Sequence, residues 1–440
     1  MESIVIFRRR GNDEPEDDEE ELEQVLFQGA VNGIDADLKA NAKLVQVGLV
    51  RAKELVSEAM ARRAEMIRVD TKGQAAMAVL FVDGVPYPAG KMPAQAALAI
   101  TQMLKLLAGL DIKVRDKPQS GGIHAEYSEK KYVVKVDAVP AAGGPERLIV
   151  RIEDPKIRLE KPHEIGLNEA LRGKIRDYTS EREGVVLAAG PPMSGVSTTA
   201  IGIMRSVDAY LYSIFNLADL GGRDLAHVTD FKRNEGENLV QWITRAKRQE
   251  CDVIFVDPLR DAETTKTIFD EADDRSFVSE TAAKDAADAI TRVVAWIGDP
   301  KIVADRLKLV ICQKLIRKLC PECRQAYRPN PKLIAKVGLP PETKVLYRVP
   351  RPVENEKGEV EEPDDCPKCG NIGYFGRMAL FEAIEMTDEI KKLVVQGADA
   401  TALKAAARGV GMQGFQKDGL AAVAEGKTSL EELQRVFSQK

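Results

Sequence analysis

Long apolar runs are missing from this chain of 440 residues: none approaches the roughly 18 consecutive apolar residues that a membrane-spanning helix needs. The N-terminus, MESIVIFRRRG, is too short and wrongly ordered for a secretory signal. Both absences predict a cytoplasmic protein. A basic surplus is missing too, since 64 Lys and Arg stand against 69 Asp and Glu, a net charge of -5 that leaves no global footprint for nucleic acid or anionic lipid. Aromatic residues are only 5% of the chain, too sparse for a base-stacking surface. Six cysteines are too few for a disulfide framework at this length, and four of them fall into two C-x-x-C pairs, the look of metal ligands. What is present in quantity is apolar residue, 44%, enough for a sizeable core in two or three domains.

Taken in order, residues 1–34 are expected to be a disordered acidic tail. Asp13, Glu14 and the acids from Glu16 to Glu21 repel one another and have little apolar surface to bury, although a basic partner could dock there. Residues 35–154 read as a small mixed α/β domain. Helical spacing runs from Leu44 to Arg63 and from Pro93 to Leu110, and strands are expected at Met77 to Val82, Tyr132 to Val136 and Arg147 to Ile152. Residues 155–164, charged and bounded by prolines, have a linker's composition. A helix at Leu167 to Tyr178 opens a second domain, in which helices alternate with apolar strands as in a parallel sheet.

The chain is organised around one stretch in that second domain. An apolar run, Gly184 to Ala189, leads into GPPMSGVSTTA at Gly190 to Ala200, the order strand, tight loop, helix. Gly190, Gly195 and Ser197 fall where a phosphate loop G-x-x-x-x-G-K-[ST] has its glycines and hydroxyl, and Ser194 and Thr198 would add backbone or hydroxyl donors. Val196, however, stands at the lysine position. Backbone N–H groups and the helix N-terminus can still cradle phosphate, but nothing here neutralises its charge. Pro192 has no N–H, and Met193 lacks glycine's access to positive φ. A lost charge-assisted bond is worth about 1.5–3 kcal/mol, one to two decades of affinity.

Further along, Val253 to Thr264, VIFVDPLRDAET, resembles the acidic strand and following loop of the type II secretion and type IV pilus assembly ATPases, V-G-E-I-R-D-x-E-T. Arg260, Asp261, Glu263 and Thr264 match that pattern. The resemblance places Asp257 at the family's glycine and Pro258 at the glutamate that activates water. Asp257 is then a carboxylate one position early, and on a strand a one-residue offset turns a side chain to the other face. The family's histidine segment aligns with Asp273 to Ala286 and puts Arg275 and Ala282 at the two histidines. Its acidic segment falls near Asn216 to Leu220, leaving Asp219 as the only acid. The flanks are closer to the family: LKLLAGLDIKVRDKPQSG at Leu104 to Gly121, Lys135 to Pro140 with Lys135 in place of an arginine, and Arg151. In such motors these two positions lend charge to a nucleotide held by the adjoining domain; both are equally readable as solvated strand residues.

Cys320 and Cys323 in KLIRKLCPEC pair with Cys366 and Cys369, two knuckles that fit a tetrahedral four-cysteine zinc site, closed and therefore structural; reduced thiols and a redox role are the alternatives. The family continues G-Y-x-G-R-x-x-x-x-E, matched by Gly373, Tyr374, Gly376, Arg377 and Glu382. Cys251 and Cys312 lie in apolar runs and read as inert core thiols. Near the end, Thr428 is expected to cap a helix, with Glu431 completing a capping box. The resemblance covers about residues 40 to 440, with the short acidic tail in place of the family's frequent extra N-terminal domain.

The expected architecture is therefore α/β: a small PAS-like domain, a RecA-like phosphate-loop domain at 165–309 with a parallel sheet, a tetracysteine zinc module at 310–377 and C-terminal helices at 378–440. The expected function is that of a secretion or pilus motor-family protein with a degenerate ATP site. By resemblance it is a homo- or hetero-hexameric ring subunit, working with an inner-membrane platform protein, assembly proteins or an active ATPase homologue. Structural Zn2+ is implied, ATP with Mg2+ remains open, and no nucleic acid is expected. Two alternatives stand beside this reading, a weak or slow Mg-ATPase and a zinc-ribbon nucleic-acid-binding protein suggested by Lys314, Arg317 and Lys318.

Overall fold

The protein is described by a computed structural model covering residues 23–438, apart from 142–143, 158, 160, 221–222, 224, 355–359 and 413. The described residues form two compact units, the first ending at residue 157 and the second beginning at residue 159. The acidic run from Asp13 to Glu21 lies outside the described residues.

The first unit holds β1 (Leu26–Ala30), α1 (Ala42–Ala61), β2 (Met66–Lys72), β3 (Ala75–Val82), β4 (Val85–Pro93), α2 (Ala94–Leu107), β5 (Gln119–Tyr127), β6 (Lys130–Ala141) and β7 (Gly144–Glu153). The strands make one antiparallel sheet in the order β1-β5-β6-β7-β2-β3-β4. Pro86, Pro88 and Pro93 sit in β4, an edge strand, where a missing N–H breaks no ladder. The expected tail boundary at residue 34 is corrected by β1, which pairs Leu26 with Glu126 and Ala30 with Ile123. Its half-exposed sequence LFQGA carries too little periodicity to announce a strand. Lys105 on α2 is wholly buried, its ammonium 2.7 Å from Glu146 and 2.6 Å from the Val114 carbonyl.

The second unit begins with α3 (Glu169–Ser180), β8 (Val185–Gly190), α4 (Val196–Met204), β9 (Ile214–Asn216), β10 (Thr229–Asp230), α5 (Leu239–Lys247) and β11 (Val253–Phe255). There follow α6 (Ala262–Asp270), β12 (Ser276–Ala282), α7 (Ala286–Ile297), α8 (Pro300–Arg306) and β13 (Leu307–Leu319). Its sheet runs β10-β9-β11-β12-β8-β13 with every pair parallel, and is closed at the edge by antiparallel β18 (Tyr374–Glu385). All six residues of β8 are buried. Val185, Leu187 and Ala189 belong to one core cluster and Val186 and Ala188 to another, so the strand is covered on both faces and reads as one apolar run.

Between β13 and β18 lie β14 (Gln325–Tyr327), α9 (Pro331–Val337), β15 (Leu346–Arg348), β16 (Val353–Glu354) and β17 (Val360–Glu361); α10 (Asp388–Val395), α11 (Ala400–Gly409), α12 (Phe415–Ala424) and α13 (Leu430–Ser438) follow. This corrects the expected boundaries at 310 and 378, which would cut through β13 and β18. The tetracysteine segment is an insertion between two strands of the main sheet. Ile334, Leu339 and Leu346 of that insertion join the main core, and this burial is why the segment does not form a separate module. The α13 cap also differs from expectation. Ser429, not Thr428, accepts the Glu432 N–H at 3.1 Å, while the Thr428 hydroxyl donates to the Arg317 carbonyl at 2.8 Å.

Candidate functional site

Strand β8 delivers the chain to the loop at Gly190 with no room for a side chain there. A Cβ on Gly190 would stand 2.6 Å from Ser194 Oγ and 2.8 Å from the Gln313 carbonyl oxygen. Gly195 turns the chain into α4 at φ 81°, the left-handed region that glycine enters without strain. Met193 reaches φ 64° with its side chain exposed, so the loop takes the positive φ expected only of glycine, at a strain of about 1 kcal/mol. Val196 folds its side chain against the core cluster that contains Ala188 and Ala200, and sends no group across the loop.

Two residues that sequence reasoning missed hold this loop. Gln313 on β13 donates through Nε2 to the Ser194 carbonyl and accepts from Thr199 Oγ1, stapling loop and helix to the neighbouring strand. Glu280 on β12 accepts from Ser197 Oγ at 2.9 Å. Strand β12 lies directly beside β8, with Glu280 opposite Ala188 and Ala282 opposite Gly190. Burial pushes the Glu280 carboxyl above its ordinary range; the Ser197 bond and the charges of Arg260 and Arg223 offset this only in part, and Asp257 adds to it. Its second oxygen, Oε2, is buried and takes no hydrogen bond. Arg223 Nη1 lies 3.5 Å from Thr198 Oγ1. The signal for Glu280 was a lone acid inside the buried strand SFVSETA.

The other expected positions are scattered. Asp257 is exposed, and its carboxylate accepts the Asp219 N–H at 3.0 Å. Its charge still reaches Glu280, so the one-residue offset does not isolate it. Pro258 offers no acid, and Ala282 is exposed at the end of β12. Arg275 precedes the other end of that strand, about 20 Å away at 3.3 Å per residue, where it donates to the Asp274 carbonyl at 2.5 Å. In the first unit, Lys135 and Arg151 face each other in register across β6 and β7. Lys135 pairs with Glu153 at 3.0 Å and Arg151 pairs with Asp137.

The four cysteines do converge. Their sulfurs all lie within 4.8 Å of one another, with Cys320 3.8 Å from Cys366 and Cys323 3.6 Å from Cys369. Thiolates arranged tetrahedrally about an ion at about 2.3 Å stand about 3.8 Å apart, so the set fits such a metal. The Cys369 backbone N–H lowers the Cys366 thiol, while burial raises those of Cys323 and Cys369, and the Gly373 N–H points at Cys369 Sγ at 3.3 Å. Cys251 and Cys312 are fully buried, and burial raises both thiols.

A glycine-turned loop between a buried parallel strand and a helix, in a sheet of this order, defines a RecA-like phosphate-loop domain. The ATPase DotB has the same fold in Yersinia pseudotuberculosis (TM-score 0.54, 13% identity, 88% of this chain and 93% of that one) and in Legionella pneumophila (TM-score 0.52, 14% identity, 89% and 96%). The model of the family described as "Type II/IV secretion system protein" matches residues 42–435, and the chain belongs to that family, the type II secretion and type IV pilus assembly ATPases. It is 26% identical over 384 residues to the type IV pilus assembly ATPase PilB of Thermus thermophilus and 27% over 387 residues to that of Myxococcus xanthus. It is 28% identical over 341 residues to the type II secretion system protein HxcR of Pseudomonas aeruginosa. The alignments span 87%, 86% and 77% of this chain but only 42%, 66% and 66% of those proteins.

Proposed function

We propose that the chain is a cytoplasmic subunit of a type II secretion or type IV pilus assembly machine, with a phosphate loop too poorly charged to turn over ATP at a motor's rate. Its role is then structural or regulatory within a ring. The observation that carries this reading is Val196, whose side chain packs into the core where a working loop needs an ammonium group. Pro258 at the position of the water-activating glutamate supports it, as does a loop backbone that is otherwise fully formed and stapled by Gln313. A homo- or hetero-hexamer is inferred from family likeness, with an inner-membrane platform protein and an active ATPase homologue as partners. Among the described residues no helix is long and apolar enough to cross a membrane, in keeping with attachment through partners. The tetracysteine cluster is assigned to structural Zn2+, because four sulfurs leave no open position for catalysis.

The test is ATP turnover by the purified chain with Mg2+, alone and mixed with an active homologue from the same cell, with assembly followed by light scattering. No turnover alone, together with incorporation into mixed rings, is the expected result; turnover at a working motor's rate by the isolated chain refutes the reading. Weak Mg-ATPase activity is the second reading, favoured by the Ser197 to Glu280 contact and by Arg223 beside Thr198.

A further inference from the structure

In phosphate loops of this class a divalent cation is held by the loop's Ser or Thr and by an acid on a neighbouring strand. The acid position that follows β11 is altered here: Pro258 has no charge, and Asp257 is exposed and accepts the Asp219 N–H through one oxygen. The residues that do meet are Ser197, the loop hydroxyl, and Glu280, reaching it from β12 at 2.9 Å. Along β12, Val278 faces the core cluster to which α4 contributes Ala200, Ile201 and Ile203, and the two-residue period brings Glu280 to the same face. Its Oε2 is buried without a hydrogen bond, although Arg260 and Arg223 lie near enough to act through charge. A carboxylate oxygen withdrawn from water and given no donor is the ligand a hard cation takes.

We propose that Glu280 has assumed the carboxylate role at the divalent cation, so that Ser197 and Glu280 together make phosphate binding by this lysine-free loop cation-dependent. Without the cation, the carboxylate opposes a phosphate that no loop lysine draws in and that Arg223, 3.5 Å from Thr198 Oγ1, attracts alone. With it, the same carboxylate becomes an anchor. The inference rests on the reading above only in assuming that the loop still accepts phosphate, and it makes no claim about hydrolysis.

The test measures ADP affinity by calorimetry in EDTA and in Mg2+, for the full chain, for Glu280→Gln and for Ser197→Ala. The expected result is binding at least about tenfold tighter in Mg2+ for the native chain. In Glu280→Gln the Mg2+ advantage should fall to near unity while the EDTA affinity rises, because the repelling charge is gone. In Ser197→Ala the Mg2+ advantage should shrink with no rise in EDTA. Glu280→Asp, which keeps the charge, should retain part of the advantage and separates lost ligation from lost fold. An undiminished Mg2+ advantage in Glu280→Gln, or no ADP binding by the native chain in Mg2+, overturns the proposal. Those outcomes are independent of turnover, which alone decides whether the site is silent.

Discussion

At the scale of single residues, charge decides what the loop can do. Val196 leaves the backbone cradle intact because valine is a tolerable first residue of a helix whose N-terminus is already turned by Gly195. What it removes is electrostatic. Val196→Lys is therefore expected to restore nucleotide affinity by about 1.5–3 kcal/mol, ten- to a hundredfold, and to do so even in EDTA. Calorimetry on the two chains checks this, and an unchanged affinity would mean that Gln313, rather than missing charge, closes the loop. Gln313 itself permits an opposite expectation. Gln313→Ala removes both of its loop contacts and should loosen the loop, visible as faster hydrogen exchange at the amides of Gly195 to Thr199.

At the scale of elements, the C-terminal helix α13 is tied to β13 by a buried charge cluster. Glu432 is 1% exposed and accepts from Arg317 Nε at 3.0 Å, Arg317 Nη2 at 2.7 Å and Arg435 Nη2 at 2.6 Å. Arg317 also lies over the Tyr374 ring, 3.9 Å from its centroid. Burial alone would raise the Glu432 carboxyl, but the Arg435 and Arg317 contacts outweigh it and hold the group below its ordinary value. A depressed carboxyl stabilises the fold above its unfolded pKa and loses that contribution as pH falls through the folded one. Glu432→Ala takes the carboxylate away from a buried guanidinium and should cost about 3–5 kcal/mol at pH 7. The gap between the two melting temperatures should narrow as the pH is taken below about 4. A gap that stays constant to pH 3 would show that the loss is one of packing and not of charge.

This cluster also marks what was readable beforehand. Local pattern located α1, α2, the strand into the loop and the cysteine knuckles, since periodicity and a two-residue spacer are properties of neighbouring residues. It misplaced the α13 cap by one residue because Thr428 and Ser429 are equally good caps in isolation. Only the bond from Thr428 to Arg317, 111 positions away, decides between them. It also divided the second unit too finely, because nothing local reveals that Leu307–Leu319 and Tyr374–Glu385 pair as neighbours in one sheet.

At the scale of the whole molecule, the tetracysteine insertion shares its core with the sheet, so metal and fold should be thermodynamically linked. One zinc per chain is expected by elemental analysis, and structural zinc sites contribute on the order of 10 kcal/mol of apparent binding free energy. Cys366→Ser, or prolonged chelation, should lower the melting temperature of the entire second unit, not of the insertion alone. Native protein that carries no metal and titrates four accessible thiols would remove zinc from the account.

Sequence alone was enough for the family, the parallel-sheet class, the missing lysine and the two cysteine knuckles, because each is written in residues a few positions apart. Only the tertiary structure decided which acid meets the loop and what holds it shut. Glu280 is 83 positions from Ser197, Gln313 is 114 from Thr199, and Glu432 is 115 from Arg317. Over such separations a polar residue's partner is chosen by which strands the hydrophobic core sets side by side, and that choice leaves no mark on the residue's own neighbourhood in the chain.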